Sequence, residues 1–169
     1  MANAQVTISH EAWCAIGEDI AQRPLIEACG VLFGTIDEQG NWYAAQAHPL
    51  RNIFSSPSYF EFDPEELLTI ELSHPTPIIG VYHSHPTGFA RASGTDRENM
   101  QRVNQQQDIP WVWLIACGPF DKLREQQECT PMLAMIAYHH YAQEGLCKIR
   151  IQREAQDALS ETVEQDAKL

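Results

Sequence analysis

Two histidines and an aspartate are spaced in this sequence as metal ligands would be. His83 and His85 stand two residues apart at the end of the apolar run 77–83, and the period of 2 in a β-strand puts both imidazoles on one face. Asp96 follows near the start of a predicted helix. Two imidazoles and a carboxylate with one coordination position left open are typical of catalytic rather than structural zinc. The spacing therefore predicts one catalytic Zn²⁺.

A zinc hydrolase also needs a group that takes a proton from water and passes it to the leaving amine. Glu27 is the candidate, because it precedes a predicted strand within the otherwise apolar run 25–29. Ser93 could donate a hydrogen bond to the oxyanion that forms on the attacked carbonyl. These residues predict hydrolysis with Glu27 and Ser93 as catalytic groups.

Each of these residues also has a purely structural interpretation. A His-x-His pair on a strand is often partly exposed and binds no metal. An acidic residue at a helix–strand junction is often a cap or a solvated charge, and Ser and Asp both favour the first turn of a helix. The spacing alone leaves these alternatives open.

The elements that would position the site begin with a helix capped by Ser9, predicted over His10–Gln22 because apolar residues recur at helical spacing and Pro24 ends the pattern. Two apolar runs, Cys29–Ile36 and residues 42–47, flank a cluster of turn-forming residues. This pattern predicts a β-hairpin.

The rest of the chain alternates between loops, helices and strands. Asp63, Pro64 and Glu66 combine an N-cap, a proline at the first helical position and a capping-box carboxylate. We expect a loop over residues 49–58, helices over 64–73 and 95–105, strands over 77–83, 111–116, 132–138 and 148–152, and a polar helix or tail over 153–169.

Composition limits the class of protein. The 169 residues, 44% of them hydrophobic, suffice for one core, so one domain is expected over residues 1–152. A formal charge of −12 disfavours nucleic acid as a partner. No apolar stretch is long enough to span a membrane, and we expect a soluble, cytoplasmic protein. Five cysteines without a C-x-x-C pair signal neither a disulfide framework nor a thiolate zinc site.

Taken together, the motif residues resemble a known signature. His83-Ser84-His85-Pro86, followed by Ser93 and Asp96 at their spacings, is similar to the signature of the JAMM (JAB1/MPN/Mov34) metalloprotease family. The segment 27–34 resembles the upstream part of the family that carries the catalytic glutamate. The order of elements agrees with the family over most of residues 8–152.

The resemblance implies a fold and a role for each residue. The fold would be α/β (α+β), a curved, mixed β-sheet flanked by helices, as in the cytidine-deaminase-like architecture of JAB1/MPN domains. His83, His85 and Asp96 would bind Zn²⁺, Glu27 would act as general base and then general acid, and Ser93 would steady the oxyanion. Ser84 would point to the opposite side.

The resemblance also implies a substrate. It would be an amide or isopeptide formed by the C-terminal Gly-Gly of a ubiquitin-like or sulfur-carrier protein, bound as an extended strand. The compact length favours a prokaryotic-type member, acting beside an adenylating (E1-like) enzyme system, over a linkage-specific deubiquitinase.

Three other functions were weighed: a cell-wall or phage-tail peptidase, a non-catalytic MPN-like scaffold, and a metal store or sensor. The complete set of polar residues disfavours the scaffold, and the open metal site disfavours storage. The sequence does not specify the identity of the modifier, precursor maturation as against deconjugation, the oligomeric state, or the roles of segment 118–130 and of the C-terminal tail.

Overall fold

The structure, a computed structural model, describes residues 3–121, 123 and 133–155. In these residues, three α-helices and seven β-strands follow one another, and a π-helical turn, Arg102–Gln106, directly continues the third helix. In chain order the elements are β1 (Gln5–Ile8), α1 (His10–Gln22), β2 (Cys29–Ile36), β3 (Trp42–Leu50), α2 (Pro64–Ser73), β4 (Ile78–His85), α3 (Gly94–Gln101), β5 (Val112–Cys117), β6 (Ala134–Tyr141) and β7 (Gly145–Arg153).

The strands form one closed barrel in the order β1-β3-β2-β4-β5-β6-β7. Pairing is mixed: β1 runs parallel to both β3 and β7, β4 runs parallel to β5, and the other pairs are antiparallel. The α/β class and the mixed sheet are confirmed. The sheet is a closed barrel rather than the expected curved sheet, because the four-residue strand β1, which the sequence did not predict, bridges β3 and β7.

Most predicted elements form close to their predicted bounds. Ser9 caps α1, its side chain accepting from the Ala12 amide, and Asp63 caps α2 by accepting from the amides of Glu65 and Glu66. The Glu66 side chain, predicted as a capping-box carboxylate, instead accepts from the amide of Arg51. It therefore bonds to the chain after β3 and not to the start of its own helix. The predicted loop over 49–58 begins two residues too early, because β3 continues through Leu50.

The core lies on both faces of the sheet. Helix α1 packs Ala12, Ile16 and Ile20 against one face. On the other face, α2 contributes the half-buried Leu67 and Ile70, and α3 contributes the fully buried Met100. Because side chains alternate along a strand, β4 is covered on both sides and buries seven of its eight residues. That burial holds the end of β4 in place.

A buried polar network joins α1 to the strands that lead to the histidines. The Asp19 carboxylate accepts from the Tyr82 hydroxyl at 2.7 Å and pairs with Arg23 at 2.8 Å. The Arg23 guanidinium also donates to the carbonyls of Cys29 and Leu50, each at 2.8 Å. Buried polar groups stabilise a fold only when they are hydrogen-bonded. The Asp19–Arg23 pair lies within α1 and its C-cap, and the other three bonds tie this end of α1 to β4, β2 and β3.

The remaining sequence expectations have mixed outcomes. Cys29, Cys117 and Cys147 are free, whereas Cys14 is disulfide-bonded, a bond that the cysteine spacing did not signal. Strand β7 ends at Arg153, and both residues 156–169 of the tail and most of segment 118–130 lie outside the described residues. In the described part of the chain, no helix has the length and apolar character needed to cross a membrane.

Candidate metal centre

The end of β4 brings two imidazoles to one buried point. His83 and His85 are 1% and 4% exposed, and their Nε2 atoms lie 3.1 Å apart. The His85 Nδ1 atom is 2.8 Å from the carbonyl oxygen of Phe89. A neutral His85 that donates its Nδ1–H to that carbonyl carries no hydrogen on Nε2, which is the form in which histidine binds a metal.

The start of α3 brings Asp96 to the same point. A reciprocal capping box fixes this carboxylate: the Ser93 hydroxyl accepts from the Asp96 amide at 3.1 Å, and the Ser93 amide donates to Asp96 Oδ2 at 2.8 Å. The two carboxylate oxygens then lie 3.2 Å from Nε2 of His83 and 3.2 Å from Nε2 of His85. Ser93 and Asp96 therefore cap α3, as their structural interpretation predicts, and the same cap places the Asp96 carboxylate where a metal ligand would lie.

The distances among these groups fit a four-coordinate metal ion. Ligand bonds of 2.0–2.1 Å in a tetrahedron separate the ligand atoms by about 3.3 Å, close to the 3.1 and 3.2 Å found here. Glu27, His83 and His85 can also place one ligand atom each within 4.8 Å of one another. These four side chains, all buried, could hold a metal cation.

Electrostatics at the centre favour a charged Asp96. Burial acts to raise the pKa of this carboxyl, but hydrogen bonds from His83 and His85 outweigh burial and hold its pKa well below the usual range. Burial lowers the pKa of His83, which favours its neutral, metal-binding form. For His85, burial also acts to lower the pKa, but Asp96 and the Phe89 carbonyl outweigh burial and raise it.

Glu27 lies at the edge of this cluster. Its Oε1 atom is 3.9 Å from His85 Nε2, farther than Asp96 Oδ2 at 3.2 Å, and its side chain is buried. Burial, opposed by the nearby His85, raises the pKa of the Glu27 carboxyl to about 7. A carboxyl with a pKa near neutrality can both accept and return a proton.

The backbone of Glu27 is held by a loop, which runs from Asn52 to Phe62 and is here called the 52–62 loop. The Glu27 amide donates to the Ser56 carbonyl at 2.8 Å, and the Glu27 carbonyl accepts from Asn52 Nδ2 at 3.0 Å. Asn52 was not predicted from the sequence, because it lies 25 residues from Glu27 and no local pattern relates the two residues.

The same loop supplies an aromatic wall. The Phe60 ring stacks on the His83 imidazole with centroids 4.6 Å apart and an interplanar angle of 26°. A small pocket beside the metal centre is lined by Glu27, Ser93 and Asp96 on one side and by residues 58–60 on the other. Three of the five residues chosen from the sequence, Glu27, Ser93 and Asp96, thus line this pocket, and Asp96 contacts His83 and His85. Their separate roles stay predictions.

Ser84 lies between the two histidines and faces the other side of β4. Its hydroxyl accepts from the Ala28 amide at 2.8 Å, and its own amide donates to the Ala28 carbonyl at 2.9 Å. The residue after Glu27 is therefore bonded to the residue between the two histidines.

Comparison with known proteins identifies the family. Residues 11–132, well over half of the chain, match the family described as prokaryotic homologs of the JAB domain. The chain belongs to this family. The compact, prokaryotic JAMM-type member expected from the motif is thereby confirmed.

Relatives of this JAB-domain chain include two proteins named desampylase. The chain is 39% identical over 85 residues to the one from Haloferax volcanii and 34% identical over 93 residues to the one from Pyrococcus furiosus. These matches cover 48% and 53% of the chain and 59% of each relative. The match thus spans about three fifths of the desampylases' own length.

Two further similarities are more distant. The chain is 35% identical over 77 residues to the tail tip assembly protein K of Escherichia phage lambda, covering 46% of the chain and 33% of that protein. The solution structure of a Desulfitobacterium hafniense protein superposes with a TM-score of 0.66 at 22% identity, covering 90% of this chain and 94% of the other. That structure supports the fold alone.

Proposed function

We propose that this protein is a zinc-dependent isopeptidase or peptidase that hydrolyses the amide bond after the C-terminal glycines of a ubiquitin-like or sulfur-carrier protein. His83, His85 and Asp96 hold the zinc, Glu27 transfers protons, and Ser93 stabilises the oxyanion. The observation that carries the proposal is the different position of the two carboxylates. The Asp96 oxygens lie 3.2 Å from the Nε2 atoms of His83 and His85. Glu27 Oε1 lies farther away, 3.9 Å from His85 Nε2, and the pKa of its carboxyl is raised to about 7.

The donor set fits zinc. Two imidazoles and one carboxylate with a position left open are a catalytic zinc set, and Zn²⁺ in such a site lowers the pKa of its water to about 7. Glu27, which is not needed as a ligand, takes the proton from the attacking water and gives it to the leaving amine. Its raised pKa suits both transfers at neutral pH.

Ser93 is supported as the oxyanion donor by its hydrogen bonds. Its oxygen accepts from the Asp96 amide, and among the described residues its hydroxyl has no acceptor, so its hydrogen can point to the pocket that it lines together with Glu27. A preset donor beside a developing negative charge stabilises the transition state without rearrangement.

The substrate class is supported by the relatives and by the pocket. The name desampylase denotes enzymes that remove a ubiquitin-like modifier, and the proposal extends this substrate class to the present chain. The pocket between residues 58–60 and Ser93 is small, and a narrow approach to the metal favours glycine on the substrate. Whether the enzyme matures a precursor or deconjugates, it would work beside an adenylating enzyme.

The test is cleavage of a ubiquitin-like protein fused through its C-terminal Gly-Gly to a reporter. Zinc-loaded wild type should release the reporter, a chelated sample should not, and Glu27→Ala should retain one zinc while losing turnover. Glu27→Ala that cuts as fast as wild type refutes the proton-transfer role. A wild type that binds zinc and cuts no Gly-Gly fusion refutes the substrate class.

A second candidate is a peptidase of the cell-wall or phage-tail type. The observation that favours it is the 35% identity to a tail tip assembly protein. The two candidates share the metal chemistry and differ in substrate. Release of fragments from peptidoglycan, with no cleavage of Gly-Gly fusions, would favour the second.

A further inference from the structure

We infer that Asn52 is a positioning residue that sets the place of the Glu27 carboxylate by locking the 52–62 loop against the backbone of Glu27. The inference deepens the proposed function and rests on it for its kinetic part. It starts from a buried polar side chain, 2% exposed, that touches no metal ligand in the described residues.

The Asn52 amide uses its full hydrogen-bonding capacity. Nδ2 donates to the carbonyls of Glu27 at 3.0 Å and Tyr59 at 2.9 Å. Oδ1 accepts from the amides of Phe54 at 3.1 Å and Glu61 at 3.4 Å. An asparagine side chain has two donor hydrogens and two acceptor lone pairs, so all four are occupied. Carbonyl partners on one side and N–H partners on the other also fix the orientation of the amide.

These four bonds divide between two tasks. Three of them close the 52–62 loop on itself, together with a backbone bond from the Ile53 amide to the Glu61 carbonyl at 3.1 Å. The fourth crosses to Glu27. Once the loop is closed, its Ser56 carbonyl accepts from the Glu27 amide, so both backbone polar groups of Glu27 are bonded to this loop.

The position of Glu27 is therefore set by two contacts, one with β4 and one with the 52–62 loop. The next residue, Ala28, is bonded to Ser84 on the strand that carries the histidines. Glu27 itself is bonded to the loop that carries Phe60, which stacks on His83. Loss of the loop contact would leave the Glu27 carboxylate anchored from one side only, and small displacements of a catalytic group cost large factors in rate.

The chain contains a matched control. Asn104 is 6% exposed and also makes four side-chain bonds: to the carbonyls of Ile109 and Trp111, and from the Trp113 indole and the His140 amide. It lies in the π-helical turn after α3 and has no bond to Glu27 or the 52–62 loop among the described contacts. Asn52→Ala and Asn104→Ala therefore remove the same number of buried hydrogen bonds in different places.

The first measurement needs no substrate. Amide hydrogen exchange is followed in the zinc-loaded protein, and the exchange rate of Glu27 is divided by that of Ala28. The Glu27 amide is bonded to the loop, and the Ala28 amide to Ser84. Asn52→Ala should raise this ratio at least about tenfold, because local opening exposes one amide and not the other, while Asn104→Ala leaves it within about twofold. An unchanged ratio in Asn52→Ala overturns the inference.

The second measurement separates positioning from general destabilisation. With one zinc bound, Asn52→Ala should lose at least about tenfold in kcat with KM changed less than about threefold, and Asn104→Ala should keep its kcat. An equal loss in both variants, or a loss confined to KM, overturns the inference. If Asn52→Ala does not fold, Asn52→Asp keeps the shape and acceptors while removing the donors to Glu27 and Tyr59, and the same outcomes apply.

Failure of the proposed function is recognisable separately. If zinc-loaded wild type cuts no Gly-Gly fusion, the proposed activity falls. The exchange ratio still decides whether Asn52 fixes the backbone of Glu27.

Discussion

Ser84 and Ala28 exchange two hydrogen bonds, one through the serine hydroxyl and one through its backbone amide. This pair joins the residue after Glu27 to the residue between the two histidines. Replacement by Ser84→Ala leaves the buried Ala28 amide without its partner, and an unsatisfied buried donor costs about 1–3 kcal/mol. We expect that loss of stability in denaturant unfolding, together with lower kcat and unchanged zinc content. Ser73→Ala, on the exposed end of α2, serves as control, and a Ser84→Ala protein as active as this control would contradict the linking role.

Removal of a ligand should abolish metal binding. Asp96→Ala and His83→Ala each delete a group in the 3.1–3.2 Å cluster, so we expect less than one-tenth of wild-type zinc by elemental analysis after dialysis. His48→Ala, which removes an exposed histidine on β3, should keep one zinc per chain. Full zinc retention in Asp96→Ala would show that Glu27 is the third ligand.

The stability of the metal-free protein should depend on pH through Glu27. Its folded pKa of about 7 lies above the ordinary 4.5, so ionisation of Glu27 destabilises the folded state as pH rises between these values. Glu27→Gln should therefore stabilise chelated protein by about 3 kcal/mol at pH 8 and by almost nothing at pH 4. Thermal unfolding at both pH values checks this. Equal stabilisation by Glu27→Gln at pH 4 and pH 8 would contradict the claim that burial destabilises the ionised Glu27 carboxylate.

Cys29, two residues from Glu27, should be chemically inert in the folded protein. Burial raises the pKa of its thiol to about 12, and the thiolate is the reactive form. With iodoacetamide at pH 8, we expect alkylation of the partly exposed Cys147 and none of Cys29 until denaturant is added, as read by peptide mass spectrometry. Rapid alkylation of Cys29 in the native state would indicate that β2 opens at the site.

Gly30 should tolerate no side chain. A Cβ at this position would meet the His48 carbonyl oxygen at 2.4 Å and the Tyr82 ring at 2.5 Å. Because a backbone oxygen and a buried ring cannot both move away, Gly30→Ala should cost about 3 kcal/mol or more. Gly94→Ala has nothing within 4 Å of the new Cβ and should be neutral or slightly stabilising. Urea unfolding of the two variants tests the contrast.

The sequence predicted the local elements and the motif, because both have local causes. Helix α1 has a serine cap and a helical period, and α2 has Asp63 before Pro64. The residues His83, His85, Ser93 and Asp96 fall within fourteen positions of one another, so strand and helix geometry suffices to bring them together.

The parts that the sequence did not predict depend on distant partners. Strand β1 is four residues long, too short to show a period, and its place is defined by parallel pairing with β3 and β7. Asn52 contacts the Glu27 carbonyl across 25 positions. A polar residue in a loop gives no sign of burial until the fold has formed, so closure of the barrel and this contact emerge only in the structure.

The antiparallel register of β2 and β4 pairs Cys29 with His83, and its irregularity lies farther along, between Leu32 and Phe33. A slip of one residue turns every side chain to the other face, so a single deletion between Glu27 and Leu32 would turn the carboxylate away from the histidines. Beyond Phe33, β2 no longer pairs with β4 but stays paired with β3 through Ile36, so a deletion there would leave Cys29 opposite His83. The irregularity thus divides β2 into a first part whose length is constrained by the metal centre and a second part whose length is constrained by pairing with β3 alone.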